Sequence, residues 1–97
     1  MVRVYASSLR GREVVSDKGY TIGFLFDLVI NEVNGKIIAL ICEPVEGGEQ
    51  PVTVQKLPRD KMGNLIVPFS AVKSMGGMIL VSEKLLKIHL LKIGRLK

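Results

Sequence analysis

The chain predicts an all-β fold, a small barrel of about six strands, and three observations carry that prediction. Across residues 20–31 the even positions are Tyr20, Ile22, Phe24, Phe26, Leu28 and Ile30, all apolar. Period two sustained over this span marks a strand with one core face. Asn34-Gly35 lies between two apolar runs, the strongest short signal for a hairpin because both central residues accept positive φ. Short apolar segments then recur between Gly- and Pro-bearing turns, as in small barrels and sandwiches. Ninety-seven residues that are 47% hydrophobic fill one core and leave no material for a second.

The elements follow in chain order. Leu9 to Val15 reads as a short first strand, ended by the turn Ser16-Asp17-Lys18-Gly19. The long strand at 20–31 comes next, with Gly23 as the natural place for a bulge or a close backbone approach. A two-residue turn at Asn34-Gly35 sets Ile30 opposite Ala39 and Leu28 opposite Ile41, which completes a three-stranded meander. Residues 43–63 carry Pro44, Pro51, Pro58 and Gly47-Gly48 among charges of both signs, and read as an excursion from the barrel. Within it, Val52 to Leu57 alternates as a local strand does. Leu65 to Phe69 is a strand in which Pro68, lacking an N–H, belongs at an end or an edge. Ser70-Ala71-Val72-Lys73-Ser74 reads as one helical turn, and Gly76-Gly77 leads into the strand Met78-Ile79-Leu80-Val81.

Charge is distributed unevenly. Residues 1–83 hold nine Lys/Arg and nine Asp/Glu, whereas residues 84–97 hold five Lys/Arg and no acid, so the formal net charge of +5 resides entirely in the tail. A barrel at 1–83 followed by a basic amphipathic segment at 84–97 is the expected organisation. Wound as a helix, the tail places Leu85, Leu86, Leu90, Ile93 and Leu96 on one arc and Lys84, Lys87, Lys92 and Arg95 on the other. As a strand, Leu86, Ile88 and Leu90 alternate with Lys87 and His89. The lone cysteine, Cys42, sits in an apolar run and forms no disulfide within the chain. Nothing calls for an oxidising compartment, no apolar stretch approaches a signal peptide or a membrane span, and a cytoplasmic setting is expected.

Leu9, Gly11, Val14-Val15, Asp17, Gly19, Ile22-Gly23, Asp27-Leu28-Val29-Ile30 and Gly35-Lys36-Ile37 form one set of signature positions. Ile66-Val67-Pro68-Phe69-Ser70-Ala71-Val72 and Gly77-Met78-Ile79-Leu80-Val81 form a second. Together they resemble the PRC-barrel domain, the small β-barrel shared by the cytoplasmic part of the photosynthetic reaction centre H subunit, the C-terminal half of the ribosome maturation factor that acts on the small subunit, and short stand-alone archaeal proteins. In length the chain is most similar to the archaeal group, some of which are similar to components of the cell-division machinery. The resemblance implies an adaptor or assembly domain and no catalysis.

The residues themselves agree on chemistry. His89, the single histidine, has no Ser-His-Asp or Cys-His setting, and a solvent-facing role outweighs a catalytic one. Asp27 on the less apolar face of the long strand calls for a backbone or basic partner. Neither Gly-Gly pair is followed by the Lys-Ser/Thr of a phosphate loop, and neither metal ligands nor a cofactor motif are evident. Two surfaces remain. Val29, Ile38 and Leu40 are expected on the outer face of the hairpin, opposite the core set, where an apolar surface needs a cover such as a second copy of the chain. Lys84, Lys87, Lys92, Arg95 and Lys97 form the second surface, open to a protein partner, to RNA as the maturation-factor resemblance implies, or to an anionic membrane. The tail lacks the aromatic side chains on which single-stranded bases stack.

Overall fold

A computed structural model describes residues 2–5, 8–47 and 50–96. In chain order these form β1 (Val2–Tyr5), β2 (Glu13–Ser16), β3 (Thr21–Ile30), β4 (Ile37–Pro44), a short helix α1 (Val52–Gln55), β5 (Leu65–Pro68), a 3-10 turn (Phe69–Ala71), β6 (Val72–Met75), β7 (Ile79–Val81) and α2 (Glu83–Lys92). The strands make one seven-stranded sheet in the order β5-β4-β3-β2-β7-β6, with β1 added to β3. Among the described residues only the β2–β7 pair is parallel. β3 pairs with β4 along one edge, while its other edge carries β2 on the first half and β1 on the second. The fold is all-β and barrel-like, but the sheet is not closed by hydrogen bonds: β5 and β6 stand at opposite ends of the strand order. They are joined covalently by the 3-10 turn, so the chain itself ties the two ends together. Pro68 is the last residue of the edge strand β5, where its missing donor costs no ladder bond.

Gly23 determines how β3 bends. A Cβ there would lie 2.2 Å from the Glu43 carbonyl oxygen, so no side chain fits between β3 and β4 at this point. The ladder to β2 slips between Val14/Val15, pairing Val14 with Gly23 and Val15 with Thr21, which leaves Ile22 as the extra residue. A second slip leaves Phe26 extra against β4. Each bulge adds one residue and shifts the inward phase by one. The expectation that all even positions of 20–30 face the core is therefore corrected: Ile22 is buried, but Phe24 is 42% exposed and Leu25 is 1% exposed. Phe26, half-buried, carries the Arg10 guanidinium 4.1 Å from its ring centroid.

The hairpin turn is longer than the Asn-Gly signal implied. Asn31 N–H donates to the Lys36 carbonyl (2.8 Å) and Gly35 N–H to the Asn31 carbonyl (2.7 Å), with Gly35 at φ +71°. Two side-chain braces hold this loop, Asn31 Oδ1 accepting from Val33 N–H and Asn34 Oδ1 from Lys36 N–H, each at 2.9 Å. The register moves accordingly, to Leu28 opposite Leu40, Val29 opposite Ala39 and Ile30 opposite Ile37. Leu40, expected outside, is thereby carried into the core and is fully buried.

Two other expectations change, and one open reading is decided. Residues 52–57 are not a strand, because Thr53, Val54 and Leu57 are buried at helical spacing after Pro51. The helical turn spans Phe69–Ala71, and Val72–Met75 continues as β6 paired with β7. Residues 84–92, open to either reading in the sequence, lie within α2. The core draws Val14, Leu25, Leu40 and Val67 from the sheet, Val54 and Leu57 from α1 and the residues after it, and Leu86 and Leu90 from α2.

Candidate functional site

α2 is held at both ends before its outer face is presented. Ser82, in extended backbone conformation, caps the helix by accepting the Leu85 N–H at 3.1 Å, and its own N–H donates to the Ala71 carbonyl at 2.8 Å. Glu83 N–H donates to Asp17 Oδ1 at 3.0 Å, and Asp17 also lies 3.8 Å from Lys73 Nζ. At the other end Gly94 N–H bonds the Leu91 carbonyl and Arg95 N–H the Leu90 carbonyl, with Gly94 at φ +76°. This is a Schellman cap, and Leu96 beyond it packs on the core.

One buried polar cluster sets the rotation of the helix. The Glu83 carboxylate, 7% exposed, turns inward, where Thr53 Oγ1 donates to it at 2.7 Å and the Tyr20 hydroxyl donates to its second oxygen. Tyr20 and Thr53 are themselves 3.2 Å apart. Burial raises the Tyr20 pKa above its ordinary value, and the neighbouring Glu83 carboxylate raises it further against smaller lowering contributions from Thr53 and Ser16. Among the described residues no buried side-chain N or O atom lacks a partner, so the cluster is fully satisfied and structural. Sequence reasoning missed it, since Tyr20, Thr53 and Glu83 are far apart in the chain.

With Leu86 and Leu90 inward, α2 leaves Lys84, Leu85, Lys87, Ile88, Leu91 and Lys92 exposed, followed by Ile93 and Arg95. Leu85 is 39% and Leu91 52% exposed. Glu83, the single acid of the helix, is turned inside, so every charge on the outer face is positive. Between α2 and the 3-10 turn lies a groove of about 100 Å³ lined by Ser70, Leu85, Ile88, His89 and Lys92. The structure thus assembles Lys84, Lys87, Lys92 and Arg95 on one element; Lys97 lies outside the described residues. Sequence reasoning placed Leu85 and Ile93 on the packing arc and left Ile88 and Leu91 unassigned, and all four are exposed. Their exposure follows from the rotation that buries Glu83 together with Leu86 and Leu90, and the inward turn of the acid is what the helical wheel does not contain.

The hairpin face has a different character. Val29 is half-buried, Ile38 is 36% exposed, and Ala39 and Ile41 on the same side as Val29 are 6% and 2% exposed. Arg3, the strand partner of Val29, spans this side by donating to Asp27 Oδ2 at 2.9 Å and Asp60 Oδ2 at 3.1 Å. Arg3 is the basic partner that Asp27 called for. Burial acts to raise the Asp60 pKa, but amide donors from Asn64 and Met62, the Asn64 side chain and Arg3 outweigh it and hold the carboxyl below its ordinary value. Ala39 and Ile41 are thus already covered on this side, while Ile38 stays exposed. Among the described residues there is no group of three or more potential metal ligands, and no helix is long and apolar enough to cross a membrane.

Comparison with known proteins adds two findings. The family model of the PRC-barrel domain matches residues 1–86. An uncharacterized protein of Methanocaldococcus jannaschii is 26% identical over 83 residues, covering 86% of this chain and 85% of that protein. The family match ends at Leu86, so Lys87, Ile88, Leu91, Lys92 and Arg95 lie beyond it.

Proposed function

The chain belongs to the PRC-barrel family, and from that premise we propose that it works as a non-catalytic adaptor whose protein-docking surface is the outer face of α2. The observation that carries this reading is a capped helix with its acid buried and Leu85, Ile88 and Leu91 exposed between lysines. Exposed apolar side chains at i, i+3 and i+6 on an anchored helix form a ready contact surface. Self-association was expected from an uncovered hairpin face. That motive weakens with Leu40 in the core and Ala39 and Ile41 already buried. RNA binding through the same lysines is the second reading, favoured by the unbroken positive charge of the face. Leucine and isoleucine side chains between the lysines favour a protein instead.

The test is photocrosslinking in the source cells, with a benzophenone amino acid at Ile88 of the full chain and, as control, at Val33, which is 91% exposed on the hairpin loop. Discrete protein adducts from position 88 and none from position 33 are the expected result. RNA adducts at position 88 would transfer support to the second reading, and adducts at neither position would remove the surface assigned here.

A further inference from the structure

We infer that the α2 groove receives a short acidic segment of a different protein, one apolar side chain entering the groove while flanking carboxylates meet Lys84 and Lys92. The inference rests on the docking role proposed above and names the occupant. Charge narrows the choice first. A second copy presenting the same face would oppose Lys84, Lys87, Lys92 and Arg95 with an identical set and no exposed helix acid between them. Like charges so placed disfavour the contact. The rest of the chain is neutral in sum, with nine basic and nine acidic residues at 1–83, and offers no net attraction. Residues 43–49 do carry Glu43, Glu46 and Glu49 without a cation, but a second copy brings them together with its own basic helix, so an acidic segment free of such a helix is the better-matched occupant.

Shape narrows it further. The groove of about 100 Å³ is well below the size of small-molecule pockets, roughly 300–1,000 Å³, and has room for one side chain. Leu85 and Ile88 give it apolar walls, Ser70 and His89 a polar margin, and Lys92 a cation at its rim. A membrane surface has no use for such a concavity, and a nucleic-acid backbone has no apolar group to fill it. A peptide supplies both the anchor and the carboxylates. Lys84 and Lys92 are eight residues apart, so at 1.5 Å per residue the carboxylates would spread over about 12 Å. That is two helical turns or about four extended residues of the partner.

The experiment uses the full chain and a fluorescent peptide with one central leucine flanked by four glutamates, read by anisotropy. Saturable binding is expected, weakening at least ~5-fold when the peptide leucine becomes serine or when Ile88→Ser is introduced, which corresponds to a contact of about 1 kcal/mol or more. Lys84→Glu with Lys92→Glu should weaken it about 10-fold or more, and added salt should weaken the wild-type complex progressively. All these positions are exposed, so the variants should remain folded, Lys92→Glu giving up only its favourable contact with the helix dipole. No saturable binding, equal affinity for leucine and serine peptides, or displacement of the peptide by phosphatidylglycerol vesicles or poly(U) below the peptide's own binding range would overturn the inference. Protein crosslinks at position 88 together with failure of the peptide would leave the docking role standing and remove only its acidic occupant.

Discussion

Replacing Gly23 by alanine puts a methyl carbon 2.2 Å from the Glu43 carbonyl oxygen and 3.1 Å from its carbon. Favourable C···O contacts begin near 3.3 Å, so β3 and β4 must separate by roughly 1 Å where Gly23 pairs with Pro44. The obstacle is backbone and has no rotamer by which to move aside. Overpacking of this kind costs about 1–3 kcal/mol, while the reduced entropy of an unfolded alanine chain returns about 0.4–1 kcal/mol. The clash wins, for a net loss of about 1–2 kcal/mol. For a domain of this size that lowers the melting temperature by about 5–15 °C. Thermal unfolding followed by circular dichroism, with urea titration for the free energy, gives the answer. Gly77→Ala is the control: an added Cβ there meets nothing within 4 Å, and Gly77 is not among the positive-φ glycines. Gly23→Ala melting with wild type would refute the role assigned to the close approach.

Three further outcomes test the packing. Leu90→Ala removes a fully buried side chain that seats α2 and should cost about 2–5 kcal/mol, read as a lower urea midpoint; an unchanged midpoint would mean the helix is not docked as described. Burial pushes the Cys42 thiol up to about 12, so the native protein should resist a thiol reagent at neutral pH and react only as urea unfolds it; rapid labelling in native buffer would contradict this. Tyr20 has a folded pKa raised above its ordinary 10.0, so its contribution to stability is full below that value and is lost as pH rises through the folded value. Tyr20→Phe should lower stability at neutral pH yet flatten the alkaline decline, and a decline as steep as wild type would remove the coupling.

Much of the fold was legible because its signals are local. The alternation of β3, the glycine at its bend, Pro68 at a strand end and the amphipathic tail each declare themselves within a few residues. What escaped depends on partners distant in sequence. Gly23 was readable as a bulge site, but which residue the ladder leaves unpaired depends on β2 and β4, and that choice decides whether Phe24 or Leu25 turns inward. Leu40 was placed outside because Asn34-Gly35 invites a two-residue turn, whereas the two asparagine side chains brace a longer one. Val52 and Val54 are strand formers, yet burial of Thr53, Val54 and Leu57 outweighs that preference. At the candidate site the lysines were visible from composition. Their apolar companions Ile88 and Leu91 were not, because the rotation of α2 follows from Glu83 meeting Tyr20 and Thr53 inside.

The first cation of the exposed face of α2, Lys84, does not serve the stability of the fold, and this separates docking from folding experimentally. Lys92 and Arg95 suit the negative end of the helix dipole, but Lys84 lies one residue after the first residue of the helix, where the dipole opposes a cation. Lys84 and Lys87 are also i, i+3 neighbours with no acid on the exposed face to offset them, which costs a few tenths of a kcal/mol. Reversing the charge by Lys84→Glu removes both penalties and should raise helix stability by up to about 0.3–1 kcal/mol, partly offset by the nearby carboxylate of Asp17. The same change takes one cation from the surface assigned to an acidic partner. Stability and binding should therefore move in opposite directions, with an equal or higher melting temperature and weaker capture of the acidic leucine peptide. A variant that lost both would place Lys84 within the fold's own interactions, and one that kept full affinity would exclude it from the contact.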